Sequence, residues 1–116
     1  MAEFTVRDRG RLTILDVTGE ISGSGEGYER LDRAVLKAVD GGGTILLNLS
    51  GVTAMDSAGA DALYQARIYA DRQGLDVKVA SIPPKLRDFL QAELPHFEIY
   101  DTEDAAVAAH GGDASA

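Results

Sequence analysis

Residues 45–59 read ILLNLSGVTAMDSAG, and this stretch decides the fold of the chain. Residues 45–49 are apolar except for Asn48, a pattern typical of a parallel strand that is covered on both faces. After a short connection, an Asp-Ser pair precedes small and apolar residues at helical spacing, namely Gly59, Leu63, Ala66 and Ala70. The stretch therefore predicts a buried strand followed by a helix that packs back over it.

The pair Asp56 and Ser57 marks the predicted start of that helix. Both residue types are favoured at an N-cap, because their side-chain oxygens accept hydrogen bonds from otherwise unpaired N–H groups. A helix N-terminus also favours added negative charge. We therefore expect the Ser57 hydroxyl near the surface, where a phosphate could be received. On these residues alone, a regulatory site and an ordinary helix cap without a function are equally good interpretations.

Composition narrows the classes of protein to consider. At 116 residues the chain is long enough for one core, and we expect a single domain over residues 1–110 with a flexible tail at 111–116. Its net charge of −8 makes nucleic acids and anionic membranes poor partners, so we expect neither nucleic-acid binding nor membrane insertion. The lack of cysteine excludes disulfides, thiolate metal sites and cysteine nucleophiles. No apolar run approaches the roughly 20 residues needed to span a bilayer, and no signal peptide is apparent, which favours a cytoplasmic protein.

The rest of the chain alternates strands and helices. Apolar residues around Gly10 predict an antiparallel hairpin whose second strand ends at about Thr18, before a glycine-rich loop at residues 19–27. A helix is predicted over residues 28–39 and ends at Gly41–Gly43, and the helix that begins at residues 56–57 ends at Gly74. After it, the sequence predicts a strand at 75–79, a helix that begins near Pro84, a strand at 97–99 and a helix capped by Asp101 or Thr102.

This order predicts an α/β fold, with a mixed, mostly parallel sheet, an N-terminal antiparallel hairpin and helices packed on the sheet. The loop after Gly19 and the pair at residues 56–57 both follow strands that run in the same direction. Because functional loops gather at the carboxyl ends of parallel strands, we expect these two segments to share one end of the molecule.

Catalysis, nucleotide binding and metal binding have little support in the sequence. A serine-hydrolase elbow requires Gly-x-Ser-x-Gly, but Met55 occupies the first glycine position, and neither His96 nor His110 is well placed as a base. The glycine-rich loop contains Glu20 and Glu26 and no basic residue, and it matches no phosphate-binding motif, so a surface loop is the better interpretation. No group of residues has metal-ligand spacing, and we expect no cofactor.

A wider pattern favours the regulatory interpretation of Ser57. A Leu-Asn-Leu strand, a short connection and Met-Asp-Ser-x-Gly at a helix start resemble the STAS domain family, and within it the bacterial anti-sigma factor antagonists. The similarity extends to the strand that ends in Thr18-Gly19-Glu20-Ile21 and to the order of elements up to about Ala109. It covers nearly the whole chain, and Met-Asp-Ser-x-Gly is its most specific part.

The resemblance implies a small cytoplasmic protein without catalytic activity. Members of this kind bind an anti-sigma factor, which is a serine kinase, and thereby free the sigma factor. The kinase phosphorylates the serine that matches Ser57, and a serine phosphatase reverses the reaction. Partner contacts are then expected at the helix start and at the end of the preceding strand: Asp56, Ser57, Ala58, Gly59, Asp61, Glu20, Ile21 and Ser22.

The chain departs from the family pattern at two places where a kinase would dock. A leucine and a small residue usually follow the matched glycine, whereas this chain has Ala60 and Asp61. The loop after Glu20 usually contains an aspartate and a serine or threonine before the first helix, and here it is rich in glycine. These departures bear on the choice of partner more than on the fold. The alternative function is a STAS subunit or scaffold of a larger assembly, such as a stress-signalling complex or a lipid-transport ATPase, without a phospho-switch.

Overall fold

The strands of the computed structural model follow one another across a single sheet. The structure describes residues 3–9, 12–21, 33–35, 37, 44–93 and 97–109. Within these residues the elements are strands β1 (Glu3–Arg9), β2 (Leu12–Ile21), β3 (Thr44–Met55), β4 (Val77–Ala80) and β5 (Ile99–Tyr100), and helices α1 (Ser57–Arg72), α2 (Pro84–Glu93) and α3 (Glu103–Ala109). Residues 33–35 and 37 are also helical.

The sheet has the order β1-β2-β3-β4-β5. Strands β1 and β2 are antiparallel, with Glu3 opposite Thr18, and every later pair is parallel. The predicted α/β fold with an N-terminal hairpin is therefore confirmed. The physical reason is that a short turn can join only antiparallel strands, whereas each later strand is reached through a helical crossover.

The two faces of the sheet bury different sets of side chains. Along β3, Leu47 and Leu49 pack into the larger cluster, whereas Leu46 belongs to the smaller one on the opposite face. The larger cluster also contains the buried faces of α1 and α2, together with Ala34 and Val35. The smaller cluster joins β2 and β4 to Ala106 and Val107 of α3. Helices on both faces explain why residues 45–49 of the central strand are apolar except for Asn48.

Two strands run further than the sequence predicts. We expected β2 to end near Thr18 and β3 near Leu49, and both expectations are wrong, because the parallel pairing continues until Ile21 lies opposite Met55. The register of the β2–β3 pairing shifts twice, between Asp16 and Thr18 and between Gly19 and Glu20. Gly19 has a positive φ of 88° at the second shift, and the pairing continues beyond it. The polar residues that suggested a connection are exposed positions of a paired strand.

The last two strands are shorter than expected. Strand β4 begins at Val77 rather than Leu75, and β5 begins at Ile99 rather than Phe97. Phe97 precedes the strand but its side chain is still buried in the larger cluster. Leu75 and Phe97 were predicted as strand residues because they are apolar, but they pack against the core without pairing in the sheet.

The predicted helix boundaries agree with the structure where it describes them. Gly74, with a φ of 77°, follows the end of α1, and Pro84 is the first residue of α2. The Thr102 hydroxyl accepts a hydrogen bond from the Ala105 N–H at 3.0 Å, which makes Thr102 the cap of α3. The predicted turn at Gly10, the loop from residue 22 to 27, the stop at residues 41–43 and the tail at 111–116 lie outside the described residues.

A polar cluster attaches α3 to the first three strands. The Glu103 carboxylate accepts hydrogen bonds from Arg7 Nη2 at 2.5 Å, Arg9 Nη1 at 2.7 Å and Asn48 Nδ2 at 3.0 Å. Arg7 also pairs with Asp16 on β2. Partial burial would raise the pKa of Glu103, but these hydrogen bonds outweigh it and lower the pKa to about 2. The carboxylate is thus held in its charged form by two arginines of β1 and one asparagine of β3.

Candidate functional site

The start of α1 is fixed by the side chain of Asp56. This residue has an extended backbone, with φ −108° and ψ −178°, and its Oδ1 accepts a hydrogen bond from the Gly59 N–H at 2.8 Å. Its carbonyl oxygen accepts the first helical bond, from the Ala60 N–H at 3.0 Å. Asp56 rather than Ser57 is therefore the N-cap residue of the predicted pair.

Ser57 is the first residue of α1, and its side chain is exposed. Since Asp56 performs the capping, the Ser57 hydroxyl is not needed to satisfy the helix end. It makes no hydrogen bond to any residue that the structure describes. The hydroxyl is thus accessible and chemically uncommitted at the positive end of a 16-residue helix.

Gly59 brings the helix start against the end of β2. A Cβ atom at this position would collide with the Ile21 carbonyl oxygen and would lie 2.9 Å from Met55 Cγ. The same carbonyl oxygen accepts a hydrogen bond from the Asp56 N–H at 3.4 Å. The end of β2 therefore supports the turn that presents Ser57, through a backbone atom that no side-chain pattern could have revealed.

The predicted contact residues separate into an exposed set and a buried set. Ile21 is 0% exposed and Gly59 is buried, so both support the site from beneath rather than offer side chains to a partner. The exposed set comprises Glu20, Asp56, Ser57, Ala58 and Asp61. The remaining predicted contact, Ser22, lies outside the described residues. The expectation that the two strand ends share one end of the molecule is confirmed for the residues up to Ile21.

The electrostatic character of this surface is acidic. Three of its five exposed residues, Glu20, Asp56 and Asp61, are carboxylates, and none of the five is a cation. A hydroxyl in such surroundings can accept a phosphoryl group from an external kinase, and the product would add further negative charge.

Across the residues described here, no helix has both the length and the apolarity required to cross a membrane. Over the same ranges, no three histidine, aspartate or glutamate side chains are grouped as metal ligands would be.

Comparison with protein families gives one match, which covers most of the chain. The sequence model of the STAS domain matches residues 3–106. No curated protein matches the chain by sequence.

Several solved structures share the fold at low sequence identity. A putative anti-sigma factor antagonist from Thermotoga maritima aligns with a TM-score of 0.77 and 21% identity, over 91% of this chain and 92% of its own. The anti-sigma factor antagonist SpoIIAA in its unphosphorylated form aligns with a TM-score of 0.69 and 18% identity, over 94% and 99%. The phosphorylated form of SpoIIAA from Bacillus also matches, with a TM-score of 0.68 and 19% identity, over 93% and 99%. A sulfate transporter family protein from Wolinella succinogenes aligns with a TM-score of 0.65 and 19% identity, over 84% and 83%.

Proposed function

Because this chain belongs to the STAS domain family, we propose that it is an anti-sigma factor antagonist controlled by phosphorylation of Ser57. In its unphosphorylated form it binds an anti-sigma factor that is also a serine kinase, and so frees the sigma factor. Phosphorylation of Ser57 by that kinase ends the interaction, and a serine phosphatase restores it. The protein itself carries out no catalysis and works in the cytoplasm.

The observation that carries this proposal is the uncommitted hydroxyl of Ser57. In many helix starts a serine serves as the N-cap, and its oxygen is then occupied by a backbone N–H. Here the Asp56 carboxylate bonds the Gly59 N–H instead, which leaves the adjacent serine exposed and without a described partner. With the cap supplied by Asp56, the Ser57 hydroxyl is open to a kinase without loss of the helix start.

The acidic surroundings explain how a phosphate would end binding. Phosphorylation adds about −1.5 to −2 charge near neutral pH. Added beside Asp56 and Asp61, this charge would have to lose its water when a partner covers the surface, and such desolvation is costly. A loss of a few kcal/mol lowers affinity by roughly a hundredfold or more. The helix N-terminus can meanwhile hold the phosphate without refolding.

Two of the structural neighbours support the proposal by analogy of fold. Antagonists of anti-sigma factors are among the matched structures, and one of them exists in phosphorylated and unphosphorylated forms. Their identity to this chain is low, so their partners are carried over here only as a proposal.

A STAS subunit of a larger assembly is the second candidate. It is favoured by the match to a sulfate transporter family protein, whose domain has the same fold. In that role, as in a signalling scaffold or a lipid-transport ATPase, Ser57 would be an ordinary exposed residue. The two candidates therefore differ in whether Ser57 accepts a phosphate.

The test is a phosphorylation assay with the candidate anti-sigma factor kinase and ATP, read by intact-protein and peptide mass spectrometry. Native protein should gain one phosphate, located on Ser57, and Ser57→Ala should gain none. Ser50→Ala is the matched control, because Ser50 is also an exposed serine close to this stretch, and it should be phosphorylated like native protein. A phosphate on Ser50, Ser22 or Ser24, or none with a kinase that binds the chain, would refute the assignment.

A further inference from the structure

A second surface of the molecule lies at the edge of the sheet, away from Ser57. Strand β1 is the outer strand at one end of the strand order and pairs only with β2 among the described strands. One side of an edge strand presents N–H and C=O groups that have no partner in the sheet. An extended segment of another chain can pair with such an edge and continue the sheet.

An open groove runs beside this edge on the face that carries the larger core cluster. Its volume is about 310 Å³, and its described lining consists of Phe4, Val6, Arg33, Ala34 and Lys37. The floor is apolar, and Val6 is 47% exposed although it is a large aliphatic residue. Side chains of a strand added beside β1 would lie directly across from Phe4 and Val6, at the spacing of cross-strand neighbours.

The upper rim of the groove is cationic. Arg33 and Lys37 are four residues apart in a helical segment, so they lie on the same helical face. Both side chains are exposed, and neither makes an ion pair with any residue in the described ranges. No carboxylate is among the described lining residues.

This rim differs from another polar cavity, which lies among the described residues near the end of α1. There, Arg67 and Lys78 share the lining with Asp71, Asp76 and Glu98, and Lys78 pairs with Glu98 at 2.5 Å. Positive charge is thus balanced locally in that cavity. Arg33 and Lys37 thus place two cations, neither with an ion-pair partner among the described residues, beside an apolar floor.

The edge strand, the apolar floor and the two cations together indicate which kind of ligand the groove would bind. We propose that the groove beside β1 binds an extended, acidic segment of a different protein, which adds a strand to the sheet. Apolar side chains of the segment contact Phe4 and Val6, and acidic side chains on the same face pair with Arg33 and Lys37. This site does not depend on phosphorylation of Ser57.

A second copy of the chain fits the groove less well. Two β1 strands related by a twofold axis would bring both copies of Arg33 and Lys37 to the same groove. Like charges placed opposite each other across paired strands are destabilising. Charge complementarity therefore selects an acidic segment from another protein.

The experiment begins with a displayed library of random eight-residue peptides, selected against the intact chain. Enriched peptides should place acidic and apolar residues two positions apart, because side chains at positions i and i+2 lie on the same face of a strand. The same selection against R33E/K37E should lose this class of peptide. The double variant R72E/K85E makes an equal change of charge at two exposed cations elsewhere, and it should retain the class. Circular dichroism checks that both variants are folded.

The most enriched peptide, labelled with fluorescein, is then titrated by fluorescence anisotropy. R33E/K37E should bind it at least about tenfold more weakly than native protein, whereas R72E/K85E should agree within about twofold. Methylation of the alternate backbone nitrogens that face β1 should abolish binding, because strand addition requires those N–H donors, whereas methylation of the other alternate set should not. Decanoate should not displace the peptide.

Several results would overturn the proposal. These are a selection without acidic and apolar residues two positions apart, equal losses in the two double variants, and full affinity of both N-methylated peptides. Displacement by decanoate would assign the groove to small anionic amphiphiles instead. Self-association of native protein that competes with the peptide, seen by sedimentation velocity, would assign it to a second copy.

Discussion

Gly59 and Ser57 are separated by one residue and have opposite surroundings. Ser57 is exposed, whereas Gly59 is buried where α1 approaches the Ile21 carbonyl. The lack of a side chain at Gly59 lets the Asp56 cap form close to the end of β2. The exposed hydroxyl therefore depends on a neighbour that contributes only its small size and its N–H group.

Gly59→Ala tests this close approach. In a helix, replacing glycine with alanine ordinarily stabilises the fold by up to about 1 kcal/mol. Here the new Cβ would collide with a backbone oxygen that cannot rotate away, so we expect destabilisation of roughly 1–3 kcal/mol. Urea denaturation of the variant and of native protein measures the difference. Because the two effects have opposite signs, a more stable variant would show that the approach is not close.

At the scale of elements, α3 is short and is attached chiefly through its first turn. It has seven residues and buries Ala106 and Val107, which are small or medium in size. The Glu103 carboxylate compensates by accepting hydrogen bonds from β1 and β3, and its side chain is only 16% exposed. A paired and largely buried carboxylate is destabilising when it loses its charge or its partners.

This attachment predicts a specific loss of stability in acid. The pKa of Glu103 is lowered from 4.5 to about 2, so its contribution is complete above about pH 5 and is lost as pH falls toward 2. The free energy of unfolding of native protein should therefore fall by roughly 2–3 kcal/mol from this group over that range.

Glu103→Gln and Asp104→Asn are the variants for this measurement, made by urea denaturation between pH 6 and pH 3. Glu103→Gln should be less stable than native protein at pH 6, and the difference should shrink as pH falls. Asp104 belongs to the same helical turn, but its side chain is 87% exposed, so Asp104→Asn should follow the native profile. A constant difference between Glu103→Gln and native protein would contradict the role assigned to the carboxylate.

At the scale of the whole molecule, local signals in the sequence predicted more than long-range ones. The cap at Asp56, the proline that begins α2 and the alternation of strands and helices each depend on a few neighbouring residues. The extension of β2 and β3 depends on pairing between distant segments, so its exposed polar residues were interpreted as a connection. Likewise, Arg9 and Glu103 are 94 positions apart, and no local pattern could join them.

The candidate site shows the same difference between local signals, which the sequence predicted, and long-range contacts, which it did not. The sequence predicted Ser57 and its exposed neighbours, because a helix start has a recognisable composition. It did not predict that Ile21 and Gly59 lie beneath the surface, because their burial follows from how α1 meets the end of β2. The groove beside β1 also escaped the sequence, since it is formed by a strand and a helical segment that are separated along the chain.

The central claim is that charge at Ser57 controls partner binding locally, without refolding. Isothermal titration calorimetry of native protein, Ser57→Ala and Ser57→Asp against the anti-sigma factor kinase tests it most directly. Ser50→Asp serves as the control, since it adds the same charge at another exposed serine. Far-ultraviolet circular dichroism and thermal melts of each variant report on the fold.

We expect Ser57→Asp to bind roughly a hundredfold more weakly than native protein at low salt, with a smaller loss at high salt because the electrostatic part is screened. Ser57→Ala and Ser50→Asp should bind like native protein, and all variants should keep the native spectrum and melting temperature. The claim is contradicted if Ser57→Asp binds as tightly as native protein, or if its weaker binding is accompanied by unfolding of the domain.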